Sequence, residues 1–404
     1  MGNEQKEPAV QAQPSQHVPA SPQKPSVTLA TVNALFMKMV ELDGSDLFIS
    51  VGAPPLLSAK GKMVALGKDR LMPNDTAAIA SVLMDEEQKT AFAKELELNL
   101  AHSMHGIGRF RVNIYKQRGT TSIVARRIKL DIQTLDDLKL PETLKTLSME
   151  SRGLILVTGA TGSGKSTTLA AMIDYRNSTK EGHIITIEDP LEFIHHHKKS
   201  LVTQREVGMD TRSYYNALKS ALRQSPDVML IGEIRDRETM EAAITFAETG
   251  HLVFSTLHSN NANQTLERIL NFFPSDMHAM IHLQLSLNLK GVVCQRLVPR
   301  IDGQGRAAII EIMLLSPRMA DLIHKGETEY LKPVIAAGMH EGMQTFDQHL
   351  YRLYKEGIIS YDTAIRAADS ANDLKLRIKT EQGVDLSEKT DISIEELVAK
   401  KDWL

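Results

Sequence analysis

Nine consecutive residues, Gly159 to Thr167, read GATGSGKST. An apolar run, GLILVTG, leads into them and a helix-like run, KSTTLAAMIDYR, leads out, the context in which the G-x-x-x-x-G-K-[ST] pattern carries meaning. Gly159, Gly162 and Gly164 permit a loop whose backbone N–H groups converge on a phosphate at the positive end of a helix. Ala160, Thr161, Ser163 and Thr167 complete that loop, Lys165 can reach the β and γ phosphates, and Ser166 offers its hydroxyl to Mg2+. The chemistry implied is nucleotide binding, with ATP and Mg2+ as cofactors.

Hydrolysis needs more than a phosphate cradle. In DVMLIGEIRD, Val228 to Ile231 read as a buried strand, and a P-loop ATPase usually closes that strand with an Asp that holds magnesium. Gly232 stands there instead, with Glu233 beside it. A second segment, TIEDPLEF, leaves its strand and breaks at Pro190, setting Glu188, Asp189 and Glu192 at the carboxyl edge of the sheet. A carboxylate at that edge can orient or deprotonate the water that attacks the γ-phosphate. The plainer alternative has these acids capping helices or pairing with Arg235 and Arg237, and for Asp189 the two readings are evenly matched. A further strand, TGHLVFSTLH, carries His251 at its start and His258 at its end. Spacing leaves His258 between a phosphate sensor and a structural residue, and favours the structural role for His251. His195, His196 and His197 are adjacent, so they cannot all face one ion and read as structural or solvated.

The elements that must position these groups follow from periodicity. From Gly153 onward, apolar strands alternate with helical patterns, which predicts a mostly parallel, doubly wound α/β sheet with ligands at the carboxyl ends of its strands. Before it, residues 27–130 predict a small α+β domain. A helix carries Leu29, Val32, Leu35, Phe36 and Val40 on one face and ends at Gly44. A strand DLFISVG follows, then a hairpin turning at Lys60 and Gly61, helical stretches near 74–95, and a second hairpin, GRFRVNIYKQRG with TTSIVARRI. Residues 131–150 read as a linker, 151–375 as the P-loop domain with a mostly helical part from EIMLLSPRMADLI onward, and 376–404 as a charged extension. Residues 1–26, rich in Pro, Gln, Ser and Ala and free of aromatics, read as a disordered tail.

Bulk properties exclude several classes. The 404 residues exceed one typical domain, and 47 basic against 50 acidic residues leave a net charge of -3, with no global reason to bind nucleic acid. No apolar run reaches the roughly 18 residues of a membrane helix, so a cytoplasmic protein is expected. The single cysteine, Cys294, rules out an internal disulfide or a multi-cysteine zinc site and reads as a core residue in a helix-like stretch, LNLKGVVCQRL.

In this order and spacing, GATGSGKST, TIEDPLEF, LIGEIRD and TGHLVFSTLHSNNA resemble the Walker A, Asp box, atypical Walker B and His box of the secretion-type ATPases. They are most similar to the twitching-motility retraction ATPases of type IV pili, the PilT/PilU family, over residues 28–375. The resemblance implies a PAS-like N-terminal domain followed by a RecA-like P-loop ATPase domain. It gives catalytic roles to Glu233 and Glu192, adds the His-box residues His251 and His258, and assigns Arg111 and Arg126 to the nucleotide's phosphates. It also implies a homohexamer in the cytoplasm, held peripherally at the inner membrane by a pilus platform protein. Where PilT members carry AIRNLIRE, this chain reads PRMADLIHKGE, and together with the long C-terminus this resembles PilU, an accessory to the paralogue PilT. A nucleotide-responsive assembly or regulatory protein with little turnover is the alternative.

Overall fold

Apolar residues at helical spacing open the described chain. Leu29–Glu41 (α1) buries Val32, Phe36 and Met39, and the Thr28 side chain caps it by accepting from the Thr31 backbone N–H. The computed structural model describes residues 27–59, 61–128 and 131–381, and the chain divides into two units between Arg127 and Ile128. The tail expected over 1–26 and residues 382–404 of the expected extension lie outside the described residues. The first helix ends at Leu42, because Asp43 turns into left-handed backbone at φ 50°; Gly44, expected as the terminator, opens the first strand.

The first unit continues with Gly44–Ile49 (β1), Leu56–Ala59 (β2), Lys62–Ala65 (β3), Pro73–Leu83 (α2), Glu86–Glu95 (α3), Glu97–Met104 (β4), Gly108–Gln117 (β5) and Thr120–Ile128 (β6). These strands form one sheet in the order β3-β2-β1-β6-β5-β4. Both expected hairpins are present; β4 was not anticipated, since its polar residues Glu97, Asn99 and His102 mask the alternation of Leu98 and Leu100. Along β5, Phe110, Val112 and Ile114 are buried and pack with Phe36, whose ring centroid lies 4.7 Å from that of Phe110. Strand alternation therefore puts Arg109, Arg111 and Asn113 on the other face.

The second unit takes in the whole of the expected linker. Leu135, Leu140, Leu144 and Leu147 are buried in its core, the last two on the short helix Thr143–Ser148 (α4). Residues 131–150 are thus packed structure, because four leucines spaced for burial would cost too much if left in water. Then follow Gly153–Thr158 (β7), Lys165–Thr179 (α5), Gly182–Glu188 (β8), Ser200–Glu206 (β9), Tyr214–Ala221 (α6), Val228–Ile231 (β10), Arg237–Glu248 (α7), Leu252–Leu257 (β11), Ala262–Leu270 (α8), His278–Asn288 (α9), Leu289–Pro299 (β12) and Arg306–Leu314 (β13). The C-terminal helices are Pro317–Lys325 (α10), Leu331–Ala337 (α11), Phe346–Lys355 (α12), Tyr361–Ala367 (α13) and Ala371–Glu381 (α14).

The second sheet runs β13-β12-β7-β11-β10-β8-β9, parallel throughout except for β13 against β12. Its two faces carry separate apolar clusters: on β7, Leu154 and Leu156 enter one, Ile155 and Val157 the other. Burial on both faces explains why these strands read as unbroken apolar runs. Two readings are corrected here. Cys294 is fully buried as expected, but on strand β12, where β-branched Val292 and Val293 pair with β7. EIML closes strand β13, and helix starts only at Pro317, capped by Ser316.

Candidate nucleotide site

The loop between β7 and α5 holds the phosphate motif at the carboxyl edge of the second sheet. Gly164 sits at the start of α5 with φ 90°, and no side chain caps the helix, so the first-turn N–H groups remain available to an anion. Lys165 is 9 % exposed; its Nζ donates to the carbonyls of Gly159 at 2.8 Å and Ala160 at 3.0 Å. Burial lowers its pKa, opposed by the nearby Glu233 carboxylate. The Ser163 hydroxyl is buried in the same loop with no hydrogen-bond partner. A buried cation, an uncapped helix start and an unpaired hydroxyl within one loop fit a nucleotide's phosphates. Ser166, exposed in the first turn of α5, fits a metal ion beside them.

Glu233 follows the end of β10 and is held on both oxygens. His258 Nε2 lies 3.0 Å from Oε1, and Arg235 donates to Oε2 through Nε at 2.8 Å, with a second nitrogen at 2.7 Å. Strand β11 secures the backbone beneath it. Ser255 Oγ donates to the Ile231 carbonyl at 2.6 Å, Thr256 Oγ1 to the Gly232 carbonyl at 2.7 Å, and the Ile234 N–H to the Thr256 carbonyl at 3.0 Å. Sequence reasoning missed Ser255 and Thr256; two hydroxyls closing a buried strand are the signal it could have used.

The same contacts explain Gly232. A Cβ at this position would stand 3.2 Å from the Glu188 Cα, 3.3 Å from the Ile187 carbonyl oxygen and 3.1 Å from the Tyr214 hydroxyl. Two of those neighbours are backbone of the adjacent strand β8 and cannot yield easily. Close packing disfavours an Asp here, and the carboxylate is supplied one residue later.

The Asp-box acids separate. Glu188, at the end of β8, accepts from Thr186 Oγ1 at 2.7 Å, from Gln204 Nε2 at 3.4 Å and from the Glu192 backbone N–H; burial nevertheless pushes its carboxyl up to about 7. Asp189 is exposed and lies 3.8 Å from Arg235, while Glu192 is exposed. Burial and the Asp189 carboxylate raise the pKa of Tyr214.

His258 and His251 mark opposite ends of β11. His251 precedes the strand, its Nδ1 3.1 Å from both Thr249 Oγ1 and the Phe246 carbonyl and its ring edge-on to Phe246. Six residues of strand, roughly 20 Å, separate it from the edge that carries Glu233. His258 borders a cleft of about 270 Å³ that also takes in Ala160 of the phosphate loop, Asn260, Gln264 and Arg268. In the first unit, Arg126 donates to Asp46 at 2.7 Å and Arg111 is half-buried on the face of the sheet away from its core. Of the adjacent histidines, His195 is buried and His197 Nδ1 accepts from the Val202 N–H, so they serve structure.

A phosphate loop after β7, a held glutamate after β10 and a parallel sheet wound on both faces define the second unit as a P-loop ATPase domain of the doubly wound α/β class. The family described as Type II/IV secretion system protein matches residues 106–366. The type IV pilus ATPase PilU of Pseudomonas aeruginosa is 55% identical over 345 residues, 85% of this chain and 90% of that protein. PilT of the same organism, a type IV pilus retraction ATPase, is 43% identical over 320 residues, 79% of this chain and 93% of that protein. The crystal structure of the pilus retraction motor PilT with bound ADP is similar at a TM-score of 0.80 and 40% identity, covering 87% of this chain and 99% of that one. The chain belongs to the type II/IV secretion system family, among its type IV pilus retraction ATPases. Among the described residues no helix is long and apolar enough to cross a membrane.

Proposed function

We propose that this protein is an ATP-hydrolysing motor of the type IV pilus machinery that assists pilus retraction and twitching motility beside the paralogue PilT. The observation that carries the reading is Glu233, held by His258 and Arg235 at the end of β10 and close enough to bias the charge of Lys165. In the proposed reaction the α5 N–H groups and Lys165 bind the phosphates, and Glu233 orients the attacking water and takes its proton on a carboxylate oxygen. His258, on the other oxygen, reports the state of that carboxylate to the loop after β11. Mg2+, held beside Ser166, would supply charge neutralisation of the phosphate oxygens. Glu192 is assigned to water at the metal, Arg111 and Arg126 to the nucleotide's phosphates, and His251 to a supporting place in the His box.

Identity is higher to PilU than to PilT, 55% against 43%, which supports the accessory role. A homohexamer, a cytoplasmic location at the pilus base and engagement of an inner-membrane platform protein complete the proposal. Steady-state ATPase of the purified protein tests it, with Glu233→Gln expected to lower kcat about 100-fold or more. Equal rates for variant and wild type would remove Glu233 from the mechanism.

One observation favours a second reading. Both Glu233 oxygens already have partners, so an attacking water must share a carboxylate that His258 and Arg235 already hold. A nucleotide-responsive regulator would keep both, bind ATP tightly and show turnover near background in wild type.

A further inference from the structure

The phosphate loop has a support that lies outside every motif. Gln295 is on β12, one residue past Cys294, and Cys294 pairs with Thr158 at the end of β7. That register delivers a polar side chain, 3 % exposed, to the underside of the loop. Both ends of its amide are used: Nε2 donates to the Ser163 carbonyl at 2.8 Å, and Oε1 accepts from Thr168 Oγ1 at 2.7 Å. The loop closes around it so tightly that a Cβ on Gly159 would stand 2.4 Å from the Gln295 backbone oxygen, and one on Gly164 2.7 Å from Nε2.

The chemistry selects an amide here. The Ser163 carbonyl can only accept, so it needs a donor, and the flipped amide would set oxygen against oxygen. The Ser163 carbonyl thus fixes the amide's orientation, and Thr168, donating to the other end, anchors it in place. The peptide bond is planar and trans, so a Ser163 carbonyl pinned toward Gln295 turns the Gly164 N–H the opposite way.

We infer that Gln295 is a positioning residue of the nucleotide site, holding the Ser163–Gly164 peptide so that its N–H, with those at the start of α5, faces phosphate. Without it the Ser163 carbonyl is free to turn toward the anion and repel it. The inference rests on the nucleotide-binding reading above.

The test uses the full-length protein, measuring Kd for a fluorescent ADP analogue together with KM and kcat for ATP. Gln295→Glu is isosteric but replaces the donor with an oxygen. It is expected to raise Kd and KM at least about tenfold with kcat changed less than about threefold. Thr168→Val, which leaves Oε1 without its donor and loosens the amide, is expected to raise both by a smaller factor. The double variant should fall short of the product of the two single effects, because both act through one amide. Kd and KM within about twofold of wild type in Gln295→Glu overturn the inference, as does a loss of kcat at unchanged KM, which marks a structural role. If Gln295→Glu does not fold, an unchanged Kd in Thr168→Val overturns it. Absence of nucleotide binding by wild type would instead overturn the reading of the site itself.

Discussion

The two ends of β11 carry a histidine each, and they have opposite characters. At the amino end His251 is satisfied locally, by the Phe246 carbonyl, Thr249 and the edge of the Phe246 ring. At the carboxyl end His258 reaches across to Glu233 of the neighbouring strand, over a cleft that opens onto Ala160 of the phosphate loop. In a parallel sheet the carboxyl edge gathers the loops that diverge from one another and leaves space for a ligand. One strand thus supplies a local fastening at one end and a side chain at the candidate site at the other.

The sharpest way to break this asymmetry is to spoil the packing that places the carboxyl-edge glutamate. Gly232→Asp installs the acid usual in P-loop ATPases against the backbone of Ile187 and Glu188. Overpacking is expected to cost about 1–3 kcal/mol of stability, and displacement of Glu233 to lower kcat about 100-fold. Urea denaturation and steady-state ATPase read the two effects; wild-type activity with the added Asp would show that close packing is not what selects glycine.

His258→Ala removes one of the partners of Glu233 and is expected to lower kcat about tenfold, the equivalent of one hydrogen bond to a charged group. His251→Ala is the matched control at the other end.

Glu188 sharpens the comparison through pH. Its carboxyl titrates near an ordinary 4.5 in the unfolded chain and at about 7 in the fold. Between those values the folded protein binds more protons than the unfolded one, so this group's contribution to stability falls as pH rises from about 4.5 to about 7. Glu188→Gln removes that slope, so the variant should lose less stability than wild type between about pH 5 and pH 8. Identical slopes in urea midpoints would place the Glu188 pKa near its ordinary value.

The smallest effect is expected for His251→Ala: hydrolysis within about twofold of wild type, and a stability loss on the order of 1 kcal/mol for the lost local hydrogen bond. A tenfold loss of kcat would mean that the amino end of β11 takes part in chemistry, and the contrast between the two histidines would fail.

Much of the carboxyl edge was legible in the chain because its elements are local. The β7-loop-α5 unit, the β10 strand with Glu233 and the β11 strand with His258 each lie within one continuous stretch. Sequence reasoning faltered where burial and pairing come from distant segments. LNLKGVVCQRL looks helical by its apolar content, yet pairing with β7 makes it strand β12. Strand β9, SLVTQRE, carries too few apolar residues to announce itself and is recruited as an edge by β8. The leucines of 131–150 are spaced through an irregular segment, and only the cluster they enter shows that it is core.

By itself, then, the sequence determined the phosphate loop, the order of the parallel strands' motifs and the acids available to water, since backbone freedom at glycine, apolar periodicity and residue type are local properties. The tertiary structure alone decided which acid stands against which base: Glu233 with His258 and Arg235, Glu188 enclosed with Thr186 and Gln204, Glu192 left in solvent. It also decided that Gln295, more than a hundred residues away in sequence, would underlie the phosphate loop. The reason is physical: the register between parallel strands is set by burial on both faces of the sheet, and no stretch of chain encodes it alone.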